Sequence, residues 1–161
     1  MARADPLTEE RSSLYERDFC LWVEEQARLL RQGVLERIDV LNLVEEIEDL
    51  GIGAKKAVKS NLVVVLLHLL KHQFQPRRRS RSWHASILEH RQRLRDDFRS
   101  SPSLRGFARD VFDEAYGDVR ARELAETGLP ERTLPSESPY TLAQSLDPGF
   151  LPDRASPAPR W

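Results

Sequence analysis

From Leu43 to Leu69 the chain places Leu43, Ile47, Leu50, Ala54, Val58, Asn61, Val65 and Leu69 at steps of three and four, with one polar member, and the phase holds through Gly51 and Gly53. Steps of three and four return to one face of an α-helix. The segment therefore predicts either two helices joined near Gly51-Ile52-Gly53 or one long helix kinked there, and the unbroken phase favours a continuous or nearly continuous helix. Interior glycines cost about 1 kcal/mol each against alanine, so such a helix needs substantial burial elsewhere. The run Leu62-Val63-Val64-Val65-Leu66-Leu67 is apolar on every side and is expected at the centre of the core. Its valines would suit a strand, but the flanking helical phase argues against one. Asp39 stands where an N-cap belongs, and Gln75-Pro76 ends the element because proline disfavours helix in the residue before it.

The remaining segments read the same way. Ser13 to Gln32 carries an apolar stripe and stops at Gly33. After a basic connector, Ser82 is a candidate N-cap for a helix over Trp83 to Arg99. Ser101-Pro102 opens another, with Leu104, Phe107, Val111, Phe112, Tyr116 and Val119, closed by Gly128 and Pro130. Ser138-Pro139 is a start for a short helix ending at Leu146. The expectation is an all-α antiparallel bundle of four to five helices with a Pro-rich C-terminal extension: one domain over residues 1–152 and a disordered tail over 153–161.

Composition narrows the function classes. Hydrophobic residues at 40% and charged residues at 32% fit a globular chain, and a net charge of -1 leaves no strong overall field toward DNA or lipid. Cys20 is the only cysteine, which excludes an intrachain disulfide; beside Leu21 and Trp22 it reads as a small buried hydrophobe. The first eleven residues lack the layout of a secretory signal, and the longest apolar stretch, Leu62 to Leu70, is far shorter than the ~20 residues that span a bilayer. A cytoplasmic protein without a membrane partner is expected. No Gly-rich phosphate loop, paired-cysteine zinc pattern or Gly-x-Ser-x-Gly elbow occurs, and no cofactor is expected.

Two clusters remain as candidate chemistry. Glu45, Glu46, Glu48 and Asp49 form an acidic block, and His68-Leu69-Leu70-Lys71-His72 sets two imidazoles at i and i+4, a spacing that lets both reach one metal ion. A metal-dependent hydrolase using Glu45, Glu48 and His68 is one alternative. Against it, the Glu-x-x-His pairing of bundle di-metal sites is absent, and Lys71 would repel a cation. The plainer reading is a partly buried polar network flanking the core, with a glutamate paired to Lys71 or an arginine. The basic connector, Arg77, Arg78, Arg79 and Arg81 with Trp83 nearby, suits phosphates and exposed bases, so nucleic-acid binding is a second alternative. Arg77 is expected to be structural, and Arg79 and Arg81 exposed. The acidic block and the connector are also complementary in sign, and so suited to pairing within one molecule or across a dimer.

Read in order, Tyr15-Glu16-Arg17-Asp18-Phe19-Cys20-Leu21-Trp22, Glu45-Glu46-Ile47-Glu48-Asp49-Leu50-Gly51, His68-Leu69-Leu70-Lys71, Gln75-Pro76, Ser82-Trp83, Glu126-Thr127-Gly128-Leu129-Pro130 and Pro139-Tyr140 resemble the bacterial domain-of-unknown-function family numbered twenty-nine. The likeness runs from about Tyr15 to about Pro152. The Glu-Glu-Ile-Glu-Asp-Leu-Gly and His-Leu-Leu-Lys blocks are specific in combination. The resemblance implies an all-helical fold in a bacterial cytoplasm and no particular activity. It also implies an aromatic residue where this chain has His72, which works against a two-histidine metal pair. Candidate site positions are Glu45, Glu46, Glu48, His68, Lys71, Ser82 and Trp83. With no complete catalytic constellation and two segments of opposite sign, the expectation is a non-catalytic helical interaction module that self-associates or binds a protein partner.

Overall fold

A computed structural model describes residues 14–152, which divide into two compact units on either side of Gly53. The proposed tail over 153–161 and the polar N-terminus lie outside the described residues. All the regular structure among those residues is helical, so the all-α expectation holds.

The first unit is a helical hairpin. A helical turn over residues 14–17 breaks at Asp18, whose Oδ1 accepts the Leu21 N–H at 3.0 Å and caps α1 (Phe19–Gln32). The helix expected over Ser13 to Gln32 is therefore interrupted once, at Asp18, which lies in phase with the apolar stripe. Gly33 ends α1 with φ +68°, a conformation that strains any residue with a Cβ. A 3₁₀ turn (Leu35–Arg37) leads to Asp39 and α2 (Val40–Phe74). Asp39 is a hub. Its Oδ2 accepts the Trp22 indole N–H at 3.2 Å and the Asn42 amide at 2.8 Å, while its own N–H donates to Gln26 Oε1 at 2.9 Å. Trp22, Gln26 and Leu29 are buried on α1. Cys20 is exposed, contrary to the buried hydrophobe expected, because it lies on the opposite side of α1 from the Trp22–Leu29 stripe.

α2 is one helix of 35 residues that runs unbroken through both glycines. In the second unit its residues Val58, Leu62, Val65, Leu66, Leu69 and Leu70 are fully buried. Burying an aliphatic side chain contributes about 1.5–3 kcal/mol, so these six outweigh the roughly 2 kcal/mol that two interior glycines cost.

Around this spine pack α3 (Arg81–Ser100), α4 (Leu104–Asp110), α5 (Phe112–Thr127) and α6 (Leu142–Leu146), with 3₁₀ turns over Pro76–Arg78 and Glu131–Thr133. Ile87, Leu94 and Phe98 from α3, Ala108 from α4, and Ala115, Tyr116 and Val119 from α5 complete the core with Leu134 and Tyr140.

Three caps differ from those read off the sequence. Ser80, not Ser82, caps α3, its hydroxyl accepting the Trp83 N–H. Ser101 closes α3 rather than opening the next helix, its N–H donating to the Asp97 carbonyl at 2.8 Å. Thr141 and Gln144 form a capping box on α6, so the helix begins after Tyr140 instead of at Ser138-Pro139. The helix expected from Pro102 onward is interrupted at Val111, where nothing in the side chain announces a break; the Val111 N–H still reaches the Phe107 carbonyl.

A five-residue helix such as α6 does not persist alone. Arg91, 1% exposed, holds its C-terminal end: Nε donates to the Ser145 carbonyl at 2.8 Å and Nη2 to the carbonyls of Gln144 at 3.3 Å and Phe150 at 3.0 Å. A cation on last-turn carbonyls satisfies groups the helix leaves open.

At Gly51 and Gly53 an added Cβ would meet nothing within 4 Å, and both residues are helical. G51A and G53A are therefore expected to stabilise the protein by about 0.5–1 kcal/mol each, read as a rise in urea midpoint at unchanged slope. Loss of stability on either change would mean that α2 is not continuous there.

Candidate functional site

The residues singled out by sequence separate into local groups. Glu45 and Glu48 are exposed on α2 in the first unit. Glu46 faces the hairpin and accepts the Tyr15 hydroxyl at 2.6 Å. That bond, then desolvation and the nearby charges of Glu46, Glu45 and Asp49, pushes the Tyr15 phenol up to about 12. His68 belongs to the second unit, where Nδ1 meets the Val64 carbonyl at 2.9 Å and the ring stands edge-on to Trp83 with centroids 6.5 Å apart. Ser82 shares a hydroxyl contact with Ser80 at 2.8 Å. Among the described residues no group of three or more His, Cys, Asp or Glu is placed to hold a metal ion.

Lys71 anchors a network the sequence did not reveal. Its Nζ lies 3.1 and 3.2 Å from the two Glu126 oxygens and 3.6 Å from Glu123 Oε2. The Gln75 amide donates to Glu123 Oε1. Glu123 is 2% exposed, and its Oε2 has no hydrogen-bond donor within range, so the Lys71 charge is what compensates it. The Lys71 hydrogen bonds hold the Glu126 carboxyl below the usual range. The exposed Glu126 pair contributes little, about 0–1 kcal/mol. Removing Lys71 would leave Glu123 buried and uncompensated, a cost of about 3–5 kcal/mol. The carboxylates around Lys71 come from α5, not from the Glu45–Asp49 block: Glu126 stands fifty-five residues beyond the lysine.

In the basic connector Arg79 and Arg81 are exposed as expected, whereas Arg77, expected to be structural, is exposed as well. Arg79, though exposed, donates from Nε to the His72 carbonyl at 2.8 Å, on the last turn of α2. Arg77 and Arg78 are exposed and border an open cleft of about 510 Å³ with Phe74, Pro76 and Leu129.

The first unit holds the strongest surface feature. Tyr15, Phe19 and Trp22 form an aromatic cluster with centroids 4.8 Å (Tyr15–Trp22) and 5.8 Å (Phe19–Trp22) apart. Beside it, α1 and the start of α2 bound an apolar groove of about 310 Å³ lined by Phe19, Val23, Leu30, Leu43, Ile47 and Leu50. Of thirteen large hydrophobic side chains exposed among the described residues, eleven lie in this unit, including Leu41, Ile47 and Leu50, which are 77%, 60% and 76% exposed. Val40, Leu43, Val44, Ile47 and Leu50 follow at helical steps, whereas Glu45, Glu48 and Asp49 fall on the other side of α2. The sequence carried this signal in the stripe from Leu43, but the stripe alone did not distinguish a buried face from an open one.

His72 gives the second unit a pH response. Burial and the Arg79 charge lower its pKa, while its Nδ1–H donates to the Pro152 carbonyl at 3.2 Å. A depressed folded pKa means the unfolded chain binds the proton more readily, so stability is full above the ordinary histidine value and falls as pH drops below about 6.5. H72Q keeps a donor for Pro152 and cannot titrate. Between pH 7 and pH 5 its melting temperature is expected to fall less than that of the native protein; parallel curves would contradict the assignment.

The family described as Domain of unknown function DUF29 matches residues 14–151, and the chain belongs to that family. No curated protein and no solved structure matches it. Among the described residues no helix is long and apolar enough to cross a membrane.

Proposed function

We propose that this DUF29 chain is a self-associating helical module whose contact surface is the apolar face of its N-terminal hairpin, the partner being a second copy. The observation that carries the reading is the groove of the hairpin, where seven of its eleven exposed large hydrophobics lie along one face. Scattered exposed hydrophobics are ordinary, but a contiguous apolar patch marks an interaction surface.

Size supports a second copy. Seven of these side chains, Phe19, Val23, Leu30, Val40, Val44, Ile47 and Leu50, line the groove or share its α2 face; at roughly 100 Å² each they present about 700 Å² together, close to the ~800 Å² per partner of a stable interface. Two hairpins packed about a two-fold axis make a four-helix arrangement, each supplying the apolar layer the other lacks. Trp22 and Leu29 alone are a thin core for a hairpin of forty residues, and chains of that size depend on association or cross-links for stability. We place this assembly in the cytoplasm, where the exposed Cys20 thiol stays reduced.

Charge separates this partner from others. Residues 14–53 carry ten acidic side chains against four basic ones, so paired hairpins repel at their rims. Salt screens that repulsion. Association is expected to tighten on adding sodium chloride, whereas docking of a basic partner would weaken. Sedimentation equilibrium is expected to return a dimer at micromolar concentration, and I47E to raise its dissociation constant by about thirtyfold or more with helical circular dichroism retained. A monomer at every concentration, or an I47E protein that still dimerises as tightly, would overturn the reading.

A further inference from the structure

In the second unit, α3, α4 and α6 enclose a separate cleft of about 430 Å³. Phe98, Leu142 and Leu146 form its apolar lining, and Arg95, Arg105 and Arg109 stand on its walls; no acidic residue lines it. These arginines differ from their neighbours in how they are paired. Elsewhere on α3, Arg93 and Arg99 are ion-paired with Glu89 and Asp96. Arg95 instead donates to the neutral Gln92 amide oxygen at 2.5 Å, and the Arg105 guanidinium lies 5.7 Å from the Phe98 ring centroid. Arg109 forms no ion pair among the described residues. Three arginines thus border one largely apolar cleft whose lining holds no carboxylate.

We propose that this cleft binds an amphipathic organic anion, a small carboxylate or phosphate monoester with an apolar tail. Arg105 and Arg109 are one turn apart on α4 and share a face, so both forks can reach one head group, with Arg95 approaching from α3. Guanidinium forks match the oxygens of carboxylate and phosphate in bidentate geometry. Exposed arginines hold a bare anion weakly because water screens the charge. The tail against Phe98, Leu142 and Leu146 supplies the rest, and the volume falls within the range of small-molecule sites. Head and tail are both required: this ligand is neither an inorganic ion nor a neutral hydrophobe. The site is independent of the hairpin surface and stands or falls separately from it.

Calorimetric titration of the full chain with octanoate and with octyl phosphate tests this directly, with acetate, inorganic phosphate and 1-octanol as partial probes. Saturable one-to-one binding is expected for one or both amphiphiles below about 1 mM, with each partial probe at least tenfold weaker. The double variant R105A/R109A is expected to weaken amphiphile binding by about tenfold or more at an unchanged melting temperature; R105Q/R109Q, which keeps most of the side-chain volume, is the second variant should the alanines perturb folding. Absence of saturable binding up to about 10 mM, equal binding of octanol, or full binding by both double variants would each overturn the proposal.

Discussion

Burial of one stretch of α2, from Val58 to Leu70, is the constraint on which the second unit depends. Six aliphatic side chains there have no exposure, and every α-helix of that unit contributes to the cluster around them. A helix apolar on all sides is stable only when surrounded, so α3, α4, α5 and the Leu134–Tyr140 segment are needed together. The same helix begins very differently. Over Val40 to Leu50 its apolar face is half covered by α1 and otherwise open, with carboxylates along the opposite side. One continuous element therefore serves as a closed core along its C-terminal half and as an open amphipathic surface along its N-terminal half.

Polar anchors hold the parts that hydrophobic burial alone would leave loose. Arg91 carries a buried guanidinium whose partners are all backbone carbonyls of the C-terminal segment, and desolvation lowers its pKa without removing the charge of an arginine. Its Nη1 is buried without a hydrogen bond, a cost accepted in exchange for fixing α6. The Tyr140 hydroxyl reaches Gln73 at 2.5 Å and the Tyr116 hydroxyl the Pro135 carbonyl at 2.7 Å, so the proline-rich connection after α5 is tied back at two points. Lys71 and Gln75 perform the same task for Glu123 on α5.

Periodicity made the helices legible. The three-to-four phase through Gly51 and Gly53 announced a continuous α2, and Gly33 and Gly128, both with positive φ, marked true helix ends. Caps were harder, because several serines lie close together at each boundary. Choosing Ser80 over Ser82, or placing Ser101 at an end and not a beginning, depends on where neighbouring turns pack. The polar partners were least legible. Nothing local to Lys71 points to Glu123 and Glu126, and nothing local to Arg91 points to carbonyls fifty-four and fifty-nine residues away. Such pairs are set by tertiary packing, which a single sequence does not display. The acidic block was visible by composition, but its meaning changed once Ile47 and Leu50 proved to be open beside it.

The two uses of α2 predict different solution behaviour for its two halves, and residue-resolved amide hydrogen exchange measures both in one experiment. Amides from Val58 to Leu70 are expected to be strongly protected at any protein concentration, because their burial is internal to one chain. Amides from Val40 to Leu50 are expected to exchange faster in dilute protein and to gain protection as concentration rises and a second copy covers the hairpin. Protection of residues 40–50 that is the same at every concentration would contradict the account.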